Sequence, residues 1–340
     1  MRTRGGRSAG LAEGASLTRC AGAATAVALL FALSGCGQPG VDGGSAATTR
    51  PHQERGAGSD RATPGGNGDG QELSSGAAHD HPADETGSHG ELEDELRSTL
   101  DELQDSTGIR GGIVVRDEST GQEIAVDDHF PVRAASTAKV VVVMARFHVA
   151  STGGPAVTAA DRELMHRALA ESDNEATDVL YTSLGATPEQ RAATLAEVYG
   201  LLGVAPGNPG AGWGETLVTA RDGVALIAAL REPPAWLGPD NAQSMRADMS
   251  VTAQALHPSQ AFGVGAVAPT DATEGAEVYL KNGWLAELDG QWSVSSIGAV
   301  TTTACDLTVS IATFGAPSYQ EGMAAATAIA EPLVAECEAS

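Results

Sequence analysis

For residues 91–340 the sequence predicts an α/β fold of the α+β kind, from three observations. An amphipathic helix pattern and two short strand patterns open this region. Three strand patterns and a helix close it. Between them the periodicity is helical throughout. The early and late strands have to meet in one five-stranded sheet flanked by helices. The middle block, about residues 134–262, is then an inserted all-helical subdomain.

Composition narrows the function classes. The 340-residue chain carries a net charge of -24, which argues against nucleic acid as a partner, because phosphate recognition needs basic patches. Aromatic residues are scarce, and four cysteines are too few for a disulfide scaffold. Only two lysines are present, Lys139 and Lys281, against many arginines. A guanidinium cannot act as a general base, whereas an amine with a movable pKa can. The two lysines are therefore the first places to look for chemistry.

Residues 1–36 read as targeting sequence. Arg2, Arg4, Arg7 and Arg19 precede an apolar run from Ala21 to Leu33, too short to be a comfortable mature membrane span. The run ends in Leu33-Ser34-Gly35-Cys36, which resembles the bacterial lipoprotein signal. That resemblance implies lipidation of Cys36 and an exported protein tethered to the outer face of the cell membrane. Residues 37–90 are rich in Gly, Ser, Ala, Asp, His and Pro and are expected to form a flexible tether. Histidines in such a tether (His79, His81 and His89, with Asp80 and Asp84) usually do nothing specific, and neither metal nor cofactor is expected.

Leu92, Leu96, Leu100 and Leu103 form a helix stripe closed by Gly108. Gly112 to Asp117 and Gln122 to Asp127 read as a hairpin around Glu118-Ser119-Thr120-Gly121. After Phe130-Pro131 comes Ala135-Ser136-Thr137-Ala138-Lys139, running into Val140 to Met144. Read as the start of a helix, Ser136 and Lys139 share one face. A serine hydroxyl becomes nucleophilic when a base takes its proton, and burial lowers a lysine's pKa toward that role. The valines behind Lys139 suggest a helix sunk in the core.

Helices follow at Ala160 to Glu171, Glu175 to Leu184, Thr187 to Leu202, Ala220 to Leu230 and Asp240 to Met249, the longest loop being Gly203 to Gly214. Strand character returns at Glu277 to Gly283, Trp292 to Thr301 and Leu307 to Phe314, with Asp289-Gly290 as a turn. A last helix from Tyr319 to about Val334 should kink or end at Pro332. An eight-residue strand rises ~26 Å, and a returning helix of about eighteen residues covers ~27 Å. Cys305 and Cys337 are thereby brought close enough for a structural disulfide; two free thiols are the alternative.

Two further short motifs stand out. Ser172-Asp173-Asn174 sits in the break between two helices, where Asp173 is a good N-cap. Lys281-Asn282-Gly283 lies on a strand expected at or near the sheet edge. Ser-x-x-Lys, then Ser-Asp-Asn, then Lys-x-Gly, in this order, resembles the signature of class A β-lactamases and penicillin-binding proteins. Phe130-Pro131, Asp222 with its neighbours and the late Trp-bearing strand pair resemble that superfamily too. Lys281-Asn282-Gly283-Trp284-Leu285 with Ser296-Ile297-Gly298 looks most like its actinobacterial serine hydrolase lipoproteins.

The resemblance implies an antiparallel sheet and a set of roles. Ser136 would be the acylated nucleophile, Lys139 its base and Ser172 a proton relay to the leaving nitrogen. Asn174, Lys281, Asn282 and Gly283 would bind substrate, with the backbone N–H groups of Ser136 and Trp284 as the oxyanion hole. The implied ligand is a β-lactam or a peptidoglycan stem peptide ending D-Ala-D-Ala, handled by a monomer. Three departures accompany it. Asn282 replaces the usual hydroxyl residue, the Ser136–Ser172 interval is short, and the long loop lacks the Glu-x-x-Leu-Asn pattern of the deacylating water. Its only acid, Glu215, is the candidate for deacylation. The alternative from another class is a catalytically weak or inactive surface lipoprotein that binds cell-wall peptide or a protein partner.

Overall fold

The computed structural model describes residues 85–208, 212–251, 260–268, 276–287 and 289–338. The expected leader, Cys36 and most of the tether lie outside the described residues. The last part of the expected tether does not: helix α1 spans Glu85–Thr107, so the run up to Gly90 is helical rather than loose. Glycine and histidine weaken local helix propensity there, and the leucine stripe that follows, packed on the sheet, overrides it.

Strands β1 (Arg110–Asp117) and β2 (Glu123–Val126) form the expected hairpin. A two-residue strand β3 (Val132–Arg133) leads into a 3-10 turn at Ala135–Thr137 and then α2 (Ala138–Ser151). Helices α3 (Ala159–Ala170), α4 (Asn174–Thr182) and α5 (Pro188–Leu201) follow. A second 3-10 turn, Trp213–Glu215, precedes β4 (Leu217–Val218), α6 (Ala220–Arg231) and α7 (Pro239–Asp248). The chain closes with β5 (Glu277–Ala286), β6 (Trp292–Thr301), β7 (Asp306–Ala316), α8 (Tyr319–Ala330) and α9 (Pro332–Glu338). The last two are the single predicted helix, broken before Pro332 as a missing N–H requires.

The large sheet has the order β2-β1-β7-β6-β5 with every pair antiparallel, so β5 is an edge strand as expected. Side chains alternate across it. Val114, Ile297 and Ala312 join the core beneath the helical block. Ile113, Val115 and Ile311 pack with Leu92, Leu96 and Leu100 of α1 and Ile329 and Ala330 of α8. Helices thus cover both faces, which is why β6 and β7 are buried almost from end to end, their serines and threonines included.

The inserted block is not all-helical. Leu217 and Val218 pair with Arg133 and Val132 in a separate two-stranded sheet. Two residues carry no periodicity, so this element was invisible in the sequence pattern. Asp222 closes a capping box on α6: Thr219 N donates to Asp222 Oδ2 at 2.9 Å, and Asp222 N donates to Thr219 Oγ1 at 3.2 Å. Helix α2 lies in the middle of its core, with Val140 to Met144 at 0% exposure, the environment of a helix apolar all round.

The disulfide Cys305–Cys337 is present, with the Cα atoms 4.9 Å apart, and ties α9 to the turn between β6 and β7.

Candidate active site

The nucleophile candidate sits on a strained turn. Ala135, immediately before Ser136, has φ 47°, and Ser172 has φ 57°. These are two of only four non-glycine residues with left-handed backbone among the described residues. Such conformations persist where the surroundings enforce them and tend to cluster at functional sites. Gly283 explains part of the enforcement. A Cβ there would lie 2.8 Å from Ser136 N, 2.9 Å from Ala134 O and 3.0 Å from Thr137 N. The close approach that Gly283 permits is therefore between the edge strand and the backbone of the Ser136 turn, rather than with substrate alone.

Lys139 is fully buried on the first turn of α2. Its Nζ donates to Ser172 O at 2.5 Å, to Asn174 Oδ1 at 2.7 Å and to Ser172 Oγ at 3.2 Å. From the opposite side Lys281, equally buried on β5, donates from Nζ to Ser172 Oγ at 2.9 Å and to Asn282 O at 3.2 Å. The two lysines of the chain thus meet on one hydroxyl. Burial pushes the Lys139 amine down to about 8, against the opposing pull of Asp173 and Asp178. Burial, then the neighbouring Lys139 charge, hold Lys281 well below the usual lysine range. Two buried ammoniums beside one oxygen are unfavourable, so these groups titrate as a coupled pair.

Ser136 lies one turn before Lys139 at the floor of a cavity of about 450 Å³, also lined by Asn174, Asp178, Tyr181, Trp213, Glu215 and Trp284. None of Lys139's three hydrogen bonds reaches Ser136. Bonds of this kind commonly tighten only once substrate is bound. Asp173 caps α4 as expected, accepting from Glu175 N at 2.8 Å and Ala176 N at 3.1 Å, and it pairs with Arg167.

Two sequence expectations need correction. Asn282 is fully buried and faces away from the cavity. Its Nδ2 donates to Gln260 O at 2.6 Å and Phe262 O at 3.2 Å, so its amide is not placed to hold substrate. The cause is strand alternation: Lys281 and Gly283 share one face of β5 and Asn282 takes the other. Glu215 does line the Ser136 cavity, yet Arg133 Nη1 holds it at 2.5 Å, and the same guanidinium binds Glu287 at 3.0 Å. It is an ion-paired wall residue rather than a loose loop charge, and its carboxylate is already engaged.

Sequence reading passed over Trp213 and Asp178. The Trp213 ring lies 5.2 Å from Lys139 Nζ, and its Nε1 donates to Asp178 Oδ1 at 2.8 Å. Asp178 follows Asn174 by four residues on α4 and so shares its face, a signal available from spacing. For Trp213 the one signal was a large aromatic between two glycines in an otherwise small-residue loop.

A five-stranded antiparallel sheet covered on both faces, with a helical block over one end and a Ser/Lys/Ser/Lys constellation at their junction, is the β-lactamase/transpeptidase-like fold. Residues 92–158 match the family described as the β-lactamase enzyme family. Similar solved structures include a β-lactamase from Sphaerobacter thermophilus, at 21% identity and TM-score 0.56, covering 71% of this chain and 96% of that one. A β-lactamase from Xanthomonas campestris pv. campestris gives 19% identity, TM-score 0.56 and coverage of 71% and 97%. A variant of PBP-A, solved as an acyl-enzyme complex with penicillin G, gives 16% identity, TM-score 0.56 and coverage of 72% and 96%. No curated protein matches the chain. Among the described residues no group of three or more His, Cys, Asp or Glu could hold a metal ion.

Proposed function

We propose that the protein is an extracytoplasmic acyl-serine hydrolase of the β-lactamase/penicillin-binding type, acting on a β-lactam or a D-Ala-D-Ala-like amide through an ester on Ser136. The observation that carries this is the convergence of Lys139 and Lys281 on Ser172 Oγ, at 3.2 and 2.9 Å, beside the cavity floored by Ser136. In this reading the neutral Lys139 amine takes the Ser136 proton as Oγ attacks the amide carbonyl. The backbone N–H groups of Ser136 and Trp284, both lining the cavity, receive the developing oxyanion. Ser172 Oγ gives its proton to the leaving nitrogen and is resupplied by the lysines on either side. A substrate carboxylate seated near Lys281 restores that amine's charge.

Acylation is better provided for than deacylation, since Glu215 is held by Arg133. The outcome favoured is a long-lived adduct, and the similar PBP-A variant was captured as one with penicillin G. Export and anchoring through Cys36 belong to the same proposal. Intact-protein mass spectrometry during incubation with benzylpenicillin tests it: one penicilloyl adduct forms, and none forms on Ser136→Ala. Rapid hydrolysis of a chromogenic cephalosporin would instead mark an efficient β-lactamase. The inward-turned Asn282 amide, which takes one polar group away from the substrate side, favours a second reading as a quiet binder of cell-wall peptide. Muropeptide binding with no adduct from any β-lactam selects that reading.

A further inference from the structure

Ser136 lines the cavity and Lys139 does not, although they are three residues apart in the same helical start. Lys139 has no exposed surface: Ser172 and Asn174 take its hydrogen bonds, and the Trp213 indole lies across it at 5.2 Å. The indole is held in the cavity wall by Nε1–H donating to Asp178 Oδ1 at 2.8 Å. Next to it the Gly214 backbone runs beside the nucleophile turn, where a Cβ would stand 3.7 Å from Ala135 Cα and Ala135 O. Trp213 thus packs over the nucleophile turn and bridges it to α4.

Resting on the acyl-serine reading, we infer that Trp213, latched by Asp178, is a water-excluding roof that sets the lifetime of the Ser136 acyl-enzyme. In acylation the Ser136 proton passes to Lys139 and Ser172 protonates the leaving nitrogen, neither of which needs a water that the roof would exclude. Hydrolysis needs more. A water oxygen attacks the acyl carbonyl, its proton passes to the neutral Lys139 amine and the Oγ–acyl bond breaks. The serine oxygen then takes that proton back as the carboxylic acid leaves. For this a water must touch Lys139 and the ester at once, and the indole occupies the approach. Glu215 is engaged by Arg133, Asp178 by the Trp213 indole and Lys281 by Ser172 and Asn282, so this scheme takes Lys139, one turn from Ser136, as the base. Trp213 is a positioning residue in this scheme: it acts by keeping water from a base and touches no reacting atom.

Two measurements test the roof separately from the acyl-serine reading. In the first, the benzylpenicillin adduct is formed, excess drug is removed and adduct decay is followed by intact mass. Trp213→Ala raises the ratio of deacylation to acylation rate constants tenfold or more. Trp213→Phe, which keeps a ring but loses the latch, raises it less, as does Asp178→Ala, which breaks the latch from the other partner. In the second, the free protein is reductively methylated with formaldehyde and the two lysines are read out individually. Lys139 is protected in the parent and modified in Trp213→Ala, while Lys281 stays protected in both as the folded-state control. Equal adduct lifetimes in all three variants overturn the roof. So does Lys139 remaining protected in Trp213→Ala. A parent that forms no adduct overturns the acyl-serine reading and the lifetime claim with it, and the methylation pattern still decides whether the indole seals the amine.

Discussion

Gly283→Ala is the sharpest test of how the site is held. The position has ordinary strand backbone, so the effect is one of space alone. The new Cβ meets three backbone atoms of the Ser136 turn, at 2.8, 2.9 and 3.0 Å, where ordinary contact begins at 3.4 Å. The shortest contact is about 0.6 Å too close, and backbone cannot escape by changing rotamer. The turn therefore moves off the strand by about that distance. Misplacement by ~1 Å at a reacting centre costs on the order of 100-fold in rate, so a shift of this size lowers acylation by roughly tenfold or more. The overpacking also lowers stability by about 1–3 kcal/mol. Single-turnover acylation by benzylpenicillin, followed by mass, measures the first quantity and thermal unfolding the second. An alanine variant acylated as fast as the parent would refute the idea that contact with β5 positions the Ser136 turn.

Other outcomes follow from the same geometry. On the acyl-serine reading the base must be neutral, and burial brings Lys139 down to about 8, so the acylation rate is expected to climb with pH below that value and level off above it. Asp173 favours the charged amine, so Asp173→Ala moves this limb to lower pH in a pH–rate profile, and losing the cap of α4 costs about 1 kcal/mol in denaturant unfolding. Reducing Cys305–Cys337, which are 32 residues apart, lowers stability by ~3–4 kcal/mol on loop-entropy grounds. The bridge sits about six strand residues, or ~20 Å, from the Ser295 row beside Gly283, so acylation by the folded fraction is unchanged.

What the sequence made legible was whatever rests on local pattern. The valine run behind Lys139 and the Asp173 cap each need only a few neighbouring residues, and both are realised, while Ser136 falls in a 3-10 turn just ahead of the helix that carries Lys139. The disulfide followed from adding two element lengths. Strand alternation was also available and would have turned Asn282 away from Lys281, but the motif was read as three adjacent substrate groups instead. The rest depends on contacts between distant segments. Arg133 bridges Glu215 and Glu287, and Trp213 reaches across to Lys139 and Asp178; no periodicity encodes either. The β3–β4 pair is too short to leave a pattern.

The strand order also dictates when the reactive centre can exist. β1 takes one neighbour, β2, at once, but its other side waits for β7, the last strand made. Lys281 arrives on β5, at the edge of a sheet that cannot close until β7 joins β1 to β6. A growing or still-threading polypeptide therefore carries the serine long before the second amine is held against it. On the acyl-serine reading, reactivity then waits for the C-terminal third to dock, and a chain cut short before β7 is expected to form no adduct.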